Sequence, residues 1–407
     1  LLPDRSKWPM LQTLTDLDAS GAAVGVRVDI NSPVEGDGLS DDARIRAHLD
    51  TLSELLEREA RVVILAHQGR PGGEAFRDLS AHASRLDELL EARVSYCDST
   101  FSADARSRIE TLAHGEALVL ENTRFYAEEY MDFEPAAAAE TILVSRLVPV
   151  LDAFVNDAFA TAHRSQPSLV GFPTQLPSYA GRVMERELEV LGDIEGSPTP
   201  RVYLLGGAKV DDSLHVARSV LERDLADTVL ATGVVGNAFL LASGVRLGAP
   251  SASVVNERSA VAVQEAGALL DDHGTRIQLP RDLALDADGR RVETDIASLP
   301  STAPAVDVGA KTIAHFADIL ENAGTAVLNG PAGVFEQEPF AVGTRELYRA
   351  GTRAGFSVVG GGDTAAALRA LEISGFDHVS TGGGACLSML TGDPLPAVRA
   401  LRESPSS

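Results

Sequence analysis

The chain has 407 residues, enough for two or three compact units that each bury a core, so a single small binding module is excluded. Apolar residues make up 44% and charged residues 23%, which excludes a disordered or fibrous chain; a formal charge of −24, from 59 acidic against 35 basic side chains, argues against a nucleic-acid partner. No apolar run approaches the ~18 residues that span a bilayer, and LLPDRSKWPM lacks the basic-then-apolar order of a secretion signal, so a cytoplasmic protein with no membrane partner is expected.

Cys97 and Cys386 form no CxxC pair and read as small core residues. Only three basic residues are lysines, Lys7, Lys209 and Lys311. A charge excess of this size repels itself in dilute buffer and is screened in concentrated salt, so a salt-loving source is expected. Met10 is expected to be the natural start, because Leu1 to Pro9 have no evident role.

In chain order, short β-branched runs ending in Gly, Asn or Asp predict buried strands at Val24 to Ile30, Arg61 to Ala66, Ala117 to Leu120, Val202 to Leu205, Ala326 to Leu328 and Phe356 to Val359. Amphipathic stretches at 41–59, 213–223 and 363–371 predict helices between them. The class is therefore α/β, as two lobes, each a mostly parallel sheet flanked by helices, joined by a connector helix. The expected boundaries are 1–178 for the first lobe, 179–195 for the connector before the GSPTP break, 196–390 for the second lobe, and 391–407 for a segment returning to the first.

The first half delivers Asp29 and Asn31 from VDIN, Arg44 from DDARI, His67 and Arg70 from AHQGRP, Arg124 from ENTRF, and His163 and Arg164 from TAHRS. Singly, each arginine would be a surface charge and each histidine structural. Four arginines at four predicted strand ends in so acidic a chain predict instead a pocket for a small molecule with phosphate and carboxylate groups.

The second half carries LLGGAKVDD with Gly207 and Lys209, NGPAGVFE with Asn329, Gly330 and Glu336, VVGGGDTAAAL with Gly362, Asp363 and Thr364, and STGGGA with Gly382, Gly383 and Gly384. Glycines beside a lysine suit nucleotide phosphates, Glu336 is placed for ribose hydroxyls, and two helix starts without capping side chains offer N–H groups to an anion. There is no GxxxxGK[ST] and no GxGxxG with an acid about 20 residues on, which argues against a P-loop fold and a nicotinamide dehydrogenase.

In this order and at this spacing, the motifs from about Val24 to Leu401 resemble the phosphoglycerate kinase family. The resemblance implies a bilobed enzyme that moves a phosphoryl group between ATP or ADP and the carboxylate of 3-phosphoglycerate with Mg2+, by lobe closure. Asp29, Asn31, Arg44, His67, Arg70, Arg124 and Arg164 would hold 3-phosphoglycerate, with Arg44 nearest the reacting carboxylate. Gly207, Lys209, Asn329, Gly330, Glu336, Gly362, Asp363 and Thr364 would hold the nucleotide, with Asp363 on the metal. Lys209 and the amides of Gly382, Gly383 and Gly384 would join Arg44 in catalysis, and a monomer is expected.

The chain departs from the resemblance at Ser213, where most members have a second lysine, at Gln166, where many have histidine, and at TGVVGN, 232–237, beside the adenine. A non-catalytic nucleotide or phosphometabolite sensor of the same fold is the alternative that Ser213 leaves open.

Overall fold

The computed structural model describes residues 11–36 and 38–405; the expected start at Met10 lies outside them. The chain divides into two compact units, Leu1–Gly192 with Pro394–Ser407, and Asp193–Asp393.

In the first unit the strands are β1 (Ala23–Arg27), the short hairpin β2 (Val34–Glu35) and β3 (Gly38–Leu39), β4 (Arg61–Leu65), β5 (Val94–Tyr96), β6 (Ala117–Val119), β7 (Ala153–Asn156) and β8 (Ser178–Ala180). Six of them form one parallel sheet in the order β5-β6-β4-β1-β7-β8. Both faces are covered, which explains why the strands are continuous apolar runs. Val24, Val26, Val62 and Ile64 pack to one side with Leu52 and Leu55 of the helix Leu49–Glu57. Ala23, Val63, Leu118 and Phe154 pack to the other with Phe172.

Tyr179 and Ala180, expected to open the connector helix, instead form edge strand β8. Tyr179 pairs with Val155 and is buried, and the helix starts only at Arg182 and runs to Gly192. Gly181 separates the two elements because a Cβ there would lie 2.2 Å from Asp157 Oδ1. The terminal helix Pro396–Arg402 buries Ala397, Val398, Ala400 and Leu401 within this first unit.

The second unit continues with β9 (Arg201–Leu205), β10 (Thr228–Ala231), β11 (Ile277–Gln278), β12 (Asp282–Ala287), β13 (Arg290–Asp295), β14 (Ala305–Val308), β15 (Thr325–Asn329), β16 (Phe356–Gly360) and β17 (His378–Val379). Its main sheet is parallel in the order β11-β10-β9-β15-β16-β17, and a separate antiparallel sheet runs β13-β12-β14. The antiparallel sheet has no counterpart among the predicted strands. Cys97 and Cys386 are buried and form no disulfide among the described residues, and no helix among the described residues is long and apolar enough to cross a membrane.

Candidate active site

In the first unit the polar residues gather beyond the carboxyl ends of parallel strands, where such sheets bind ligands. Asp29 follows β1 and is 5% exposed. Its backbone N–H donates to His48 Nε2 at 3.1 Å, and His48 Nδ1 lies 2.6 Å from Asp157 Oδ2. Asp157 also accepts the N–H of Val183, so a buried carboxylate and imidazole fix where Asp29 sits. Arg44, in the helix Ala43–Ala47, donates from Nη1 to Asp29 Oδ2 at 2.8 Å. Burial alone would push the Asp29 carboxyl up; the imidazole of His67 and the guanidinium groups of Arg44 and Arg27 outweigh it and bring it to about 2.

Asn31 Oδ1 accepts the N–H of Gly69 at 2.9 Å, and the Gly69 carbonyl accepts Arg124 Nη1 at 2.7 Å. Gly69 has φ +66°, and a Cβ would fall 2.4 Å from the Ala75 backbone, so only glycine fits this crossing point. Arg124 lies over the Tyr130 ring at 5.8 Å. Arg164 Nε donates to His163 Nε2 at 3.3 Å, and Arg70 is exposed. No carboxylate lies within ion-pair distance of Arg70, Arg124 or Arg164 among the described residues. Burial, with repulsion from Arg164, Arg27 and Arg70, lowers Arg124 to about 10. The three arginines are thus near enough to disfavour one another's charge, a condition that an anionic ligand relieves.

Of the seven residues expected in this half, Arg44 pairs with Asp29, Asn31 and Arg124 both bond Gly69, His67 acts electrostatically on Asp29, and Arg70 and Arg164 act on Arg124. Sequence reasoning missed the layer beneath them: Arg27, His48, Glu129, Asp157 and Ser168 are all less than 5% exposed. One signal was available, since Arg27 is a charged residue closing the otherwise apolar strand AVGVR.

In the second unit two strand ends are laced together through backbone. After β9, Gly206 N–H donates to Asn329 O at 2.9 Å and Gly207 N–H to Pro331 O at 2.7 Å. After β15, Gly330 has φ +85°, and a Cβ there would lie 2.3 Å from Gly206 O. The helices Gly362–Ala370 and Gly384–Thr391 begin after Gly361 and Gly383 with no side-chain cap. Their first turns expose N–H groups to a cavity of about 220 Å³ lined by Gly207, Lys209, Gly330, Gly362, Asp363 and Gly384. Lys209 Nζ lies 3.4 Å from Asp363 Oδ2, both side chains well exposed. A cavity of about 570 Å³ shares Gly207 and Asp363 with it and is lined by Val234, Val306, Phe335 and Glu336. A phosphate-sized recess rich in donors therefore adjoins an apolar chamber of nucleoside size.

Three residues near these loops already carry bonds within the unit. Thr364 is fully buried, and its Oγ1 accepts Gly330 N–H at 2.8 Å, so it braces the loop as well as lining the smaller cavity. Gly382 N–H already donates to Ser380 Oγ at 3.2 Å, leaving Gly383 and Gly384 as the available amides. Ser213 is buried with its Oγ 3.3 Å from Gly206 O, so it supplies no cation.

An anion site of unpaired arginines in one α/β unit and a glycine-walled phosphate site with bare helix starts in another define a phosphotransferase of the kinase class. A family model described as phosphoglycerate kinase matches residues 14–393. A protein named phosphoglycerate kinase from Natronomonas pharaonis is 69% identical over 97% of this chain and 100% of its own length. One of the same name from Halobacterium salinarum is 57% identical over 96% of this chain and 100% of its own. The crystal structure of phosphoglycerate kinase from Pyrococcus horikoshii OT3 superposes with a TM-score of 0.90 at 42% identity, covering 96% of this chain and 98% of that one. The chain belongs to the phosphoglycerate kinase family. It is a kinase, and nothing in these likenesses supports a non-catalytic sensor.

Proposed function

We propose that the first unit takes 3-phosphoglycerate at Asp29, Asn31, Arg44, His67, Arg70, Arg124 and Arg164, and that the second takes ATP or ADP at Gly207, Lys209, Asn329, Gly330, Glu336, Gly362 and Asp363. The observation that carries this reading is that, among the described residues, Arg70, Arg124 and Arg164 have no carboxylate within ion-pair distance in a chain with 59 acidic residues. Arg70, Arg124 and Arg164 are suited to the phosphate, whose fork-like recognition they match. Arg44 reaches the carboxylate, with Asp29 holding its guanidinium in place.

The substrate carboxylate is ionised at neutral pH and attacks phosphorus without a general base, so the residues' work is positioning and neutralising charge. Lys209 and the amides of Gly383 and Gly384 face the charge that develops on the transferring group. Asp363 suits Mg2+: its exposed carboxylate lines the smaller cavity, where it could share the metal with nucleotide phosphates. Bound there, Mg2+ would neutralise phosphate charge. Asp363→Asn is expected to raise the Michaelis constant for ATP about tenfold or more and to leave the calorimetric affinity for 3-phosphoglycerate unchanged. Loss of the triose ligand instead would show that the two sites are assigned the wrong way round.

We further infer a cytoplasmic, salt-adapted monomer. The charge of −24 and the acidic, lysine-poor composition support the salt adaptation, as does likeness to two relatives with the organism names given above. The thermal midpoint is expected to rise as KCl increases from about 0.1 to about 3 M, because the screening length falls to ~3 Å at 1 M. A midpoint that is flat or falls across that series would remove salt adaptation while leaving the kinase reading intact.

A further inference from the structure

Behind His67 lies a run of hydrogen bonds that the transfer reaction itself does not use. Glu129 accepts at both carboxyl oxygens, from Ser168 N–H at 2.8 Å and from the Ser168 hydroxyl at 2.7 Å. Ser168 Oγ in turn accepts Arg27 Nε–H at 2.9 Å, and Arg27 Nη2–H donates to His67 Nδ1 at 2.9 Å. The third guanidinium nitrogen, Nη1, donates to Val28 O. All four residues are buried: Arg27 is 2% exposed, His67 3%, Glu129 4% and Ser168 0%.

A guanidinium has five donors and no acceptor, so the imidazole nitrogen facing it has to be the bare one. Neutral His67 therefore carries its proton on Nε2, and no protein group among the described residues is bonded to that atom. Protonating Nδ1 would set two N–H groups against each other. The surroundings agree: burial first, then Arg27, Arg124 and Arg164, hold His67 well below the usual histidine range despite the nearby Asp29. Burial lowers Arg27, and Glu129 and Asp29 offset part of that from within the protein.

We propose that Ser168, backed by Glu129, is a positioning residue: through Arg27 it locks His67 as the neutral tautomer with its proton on Nε2, so that His67 meets the phosphorylated substrate as a hydrogen-bond donor and not as a cation. This rests on the assignment of the arginine-lined site to 3-phosphoglycerate. It divides the site's labour, with the arginines supplying charge and His67 supplying one directed, pH-insensitive donor.

The test uses the full chain labelled with 15N-histidine, with His67→Gln identifying the His67 signals. The wild-type imidazole is expected to show a bare Nδ1 and a protonated Nε2 from pH about 8 down to about 5.5, across the range where an ordinary histidine titrates. Ser168→Ala is expected to give mixed tautomers and to raise the Michaelis constant for 3-phosphoglycerate about tenfold, with kcat and the constant for ATP within about twofold. Ser168→Thr, which keeps the hydroxyl, restores both readouts. Glu129→Gln, of nearly equal volume, tests the backing carboxylate in the same spectra should Ser168→Ala not fold. A wild-type His67 protonated on Nδ1, or a Ser168→Ala chain with unchanged tautomer and constants, overturns the proposal. Failure of the wild type to bind 3-phosphoglycerate would sink the substrate assignment instead, and the tautomer spectra would still decide the lock.

Discussion

Arg44→Ala is expected to lower turnover by about 100-fold while the chain folds as before, since a charge-assisted donor at a reacting oxygen is worth on the order of 3 kcal/mol in the transition state. The fold should tolerate the change. The Arg44 side chain is 44% exposed, and its one ion pair among the described residues is to Asp29. Asp29 keeps its backbone bond to His48 and the positive charge of Arg27. Steady-state kinetics beside a thermal melt checks both halves. A variant with near-normal kcat would take Arg44 out of the transition state, and one that melts much earlier would make it a structural residue.

Gly330→Ala is the expected large effect in the second unit. The position has φ +85°, and the new Cβ would sit 2.3 Å from Gly206 O and 2.5 Å from Gly206 C, which are backbone atoms unable to swing away. Strain and overpacking together cost on the order of 3 kcal/mol. For a unit of this size that corresponds to a fall of about 6–12 °C in its melting midpoint. Moving apart also breaks Gly206 N–H to Asn329 O and Gly330 N–H to Thr364 Oγ1, so the phosphate recess opens and the Michaelis constant for ATP should rise at least about tenfold. Differential scanning calorimetry and ATP titration measure these. A midpoint within about 2 °C of wild type would show that the two loops are not tightly laced.

The contrast between these positions shows what was legible before the fold was known. Strand cores such as Arg61–Leu65 and Thr325–Asn329 are apolar runs closed by His, Asn or Gly, and a sheet covered on both faces leaves that pattern in plain sequence. The antiparallel sheet was not legible as strands because β13 is largely exposed and carries Arg290, Arg291, Glu293 and Asp295. Its turn did announce itself: Asp288 and Gly289 take φ +55° and +78°, a pair suited to a tight hairpin. Tyr179 and Ala180 were misplaced for the opposite reason, since their short strand adjoins a helix of strong periodicity and is marked off by its pairing with β7 and by the crowding of Gly181 against Asp157.

At the site, the residues proposed to take ligand stood in recognisable motifs, while those that hold them did not. Ser168 lies 141 positions from Arg27 and 39 from Glu129, so the buried run exists only after folding. Thr364 and Gly382 illustrate the converse. A motif marks where a helix or loop starts, but whether a hydroxyl or amide there is already bonded to Gly330 or Ser380 depends on what the sheet brings alongside.

The central claim is that this chain, with Ser213 in place of a second lysine, phosphorylates the carboxylate of 3-phosphoglycerate. Its most direct test is coupled turnover of purified chain with 3-phosphoglycerate, ATP and Mg2+ across a KCl series, following the acyl phosphate product. Turnover is expected to require all three components and to fall about 100-fold in Arg44→Ala. Binding of both ligands by a folded chain with no acyl phosphate formed at any salt concentration would contradict it.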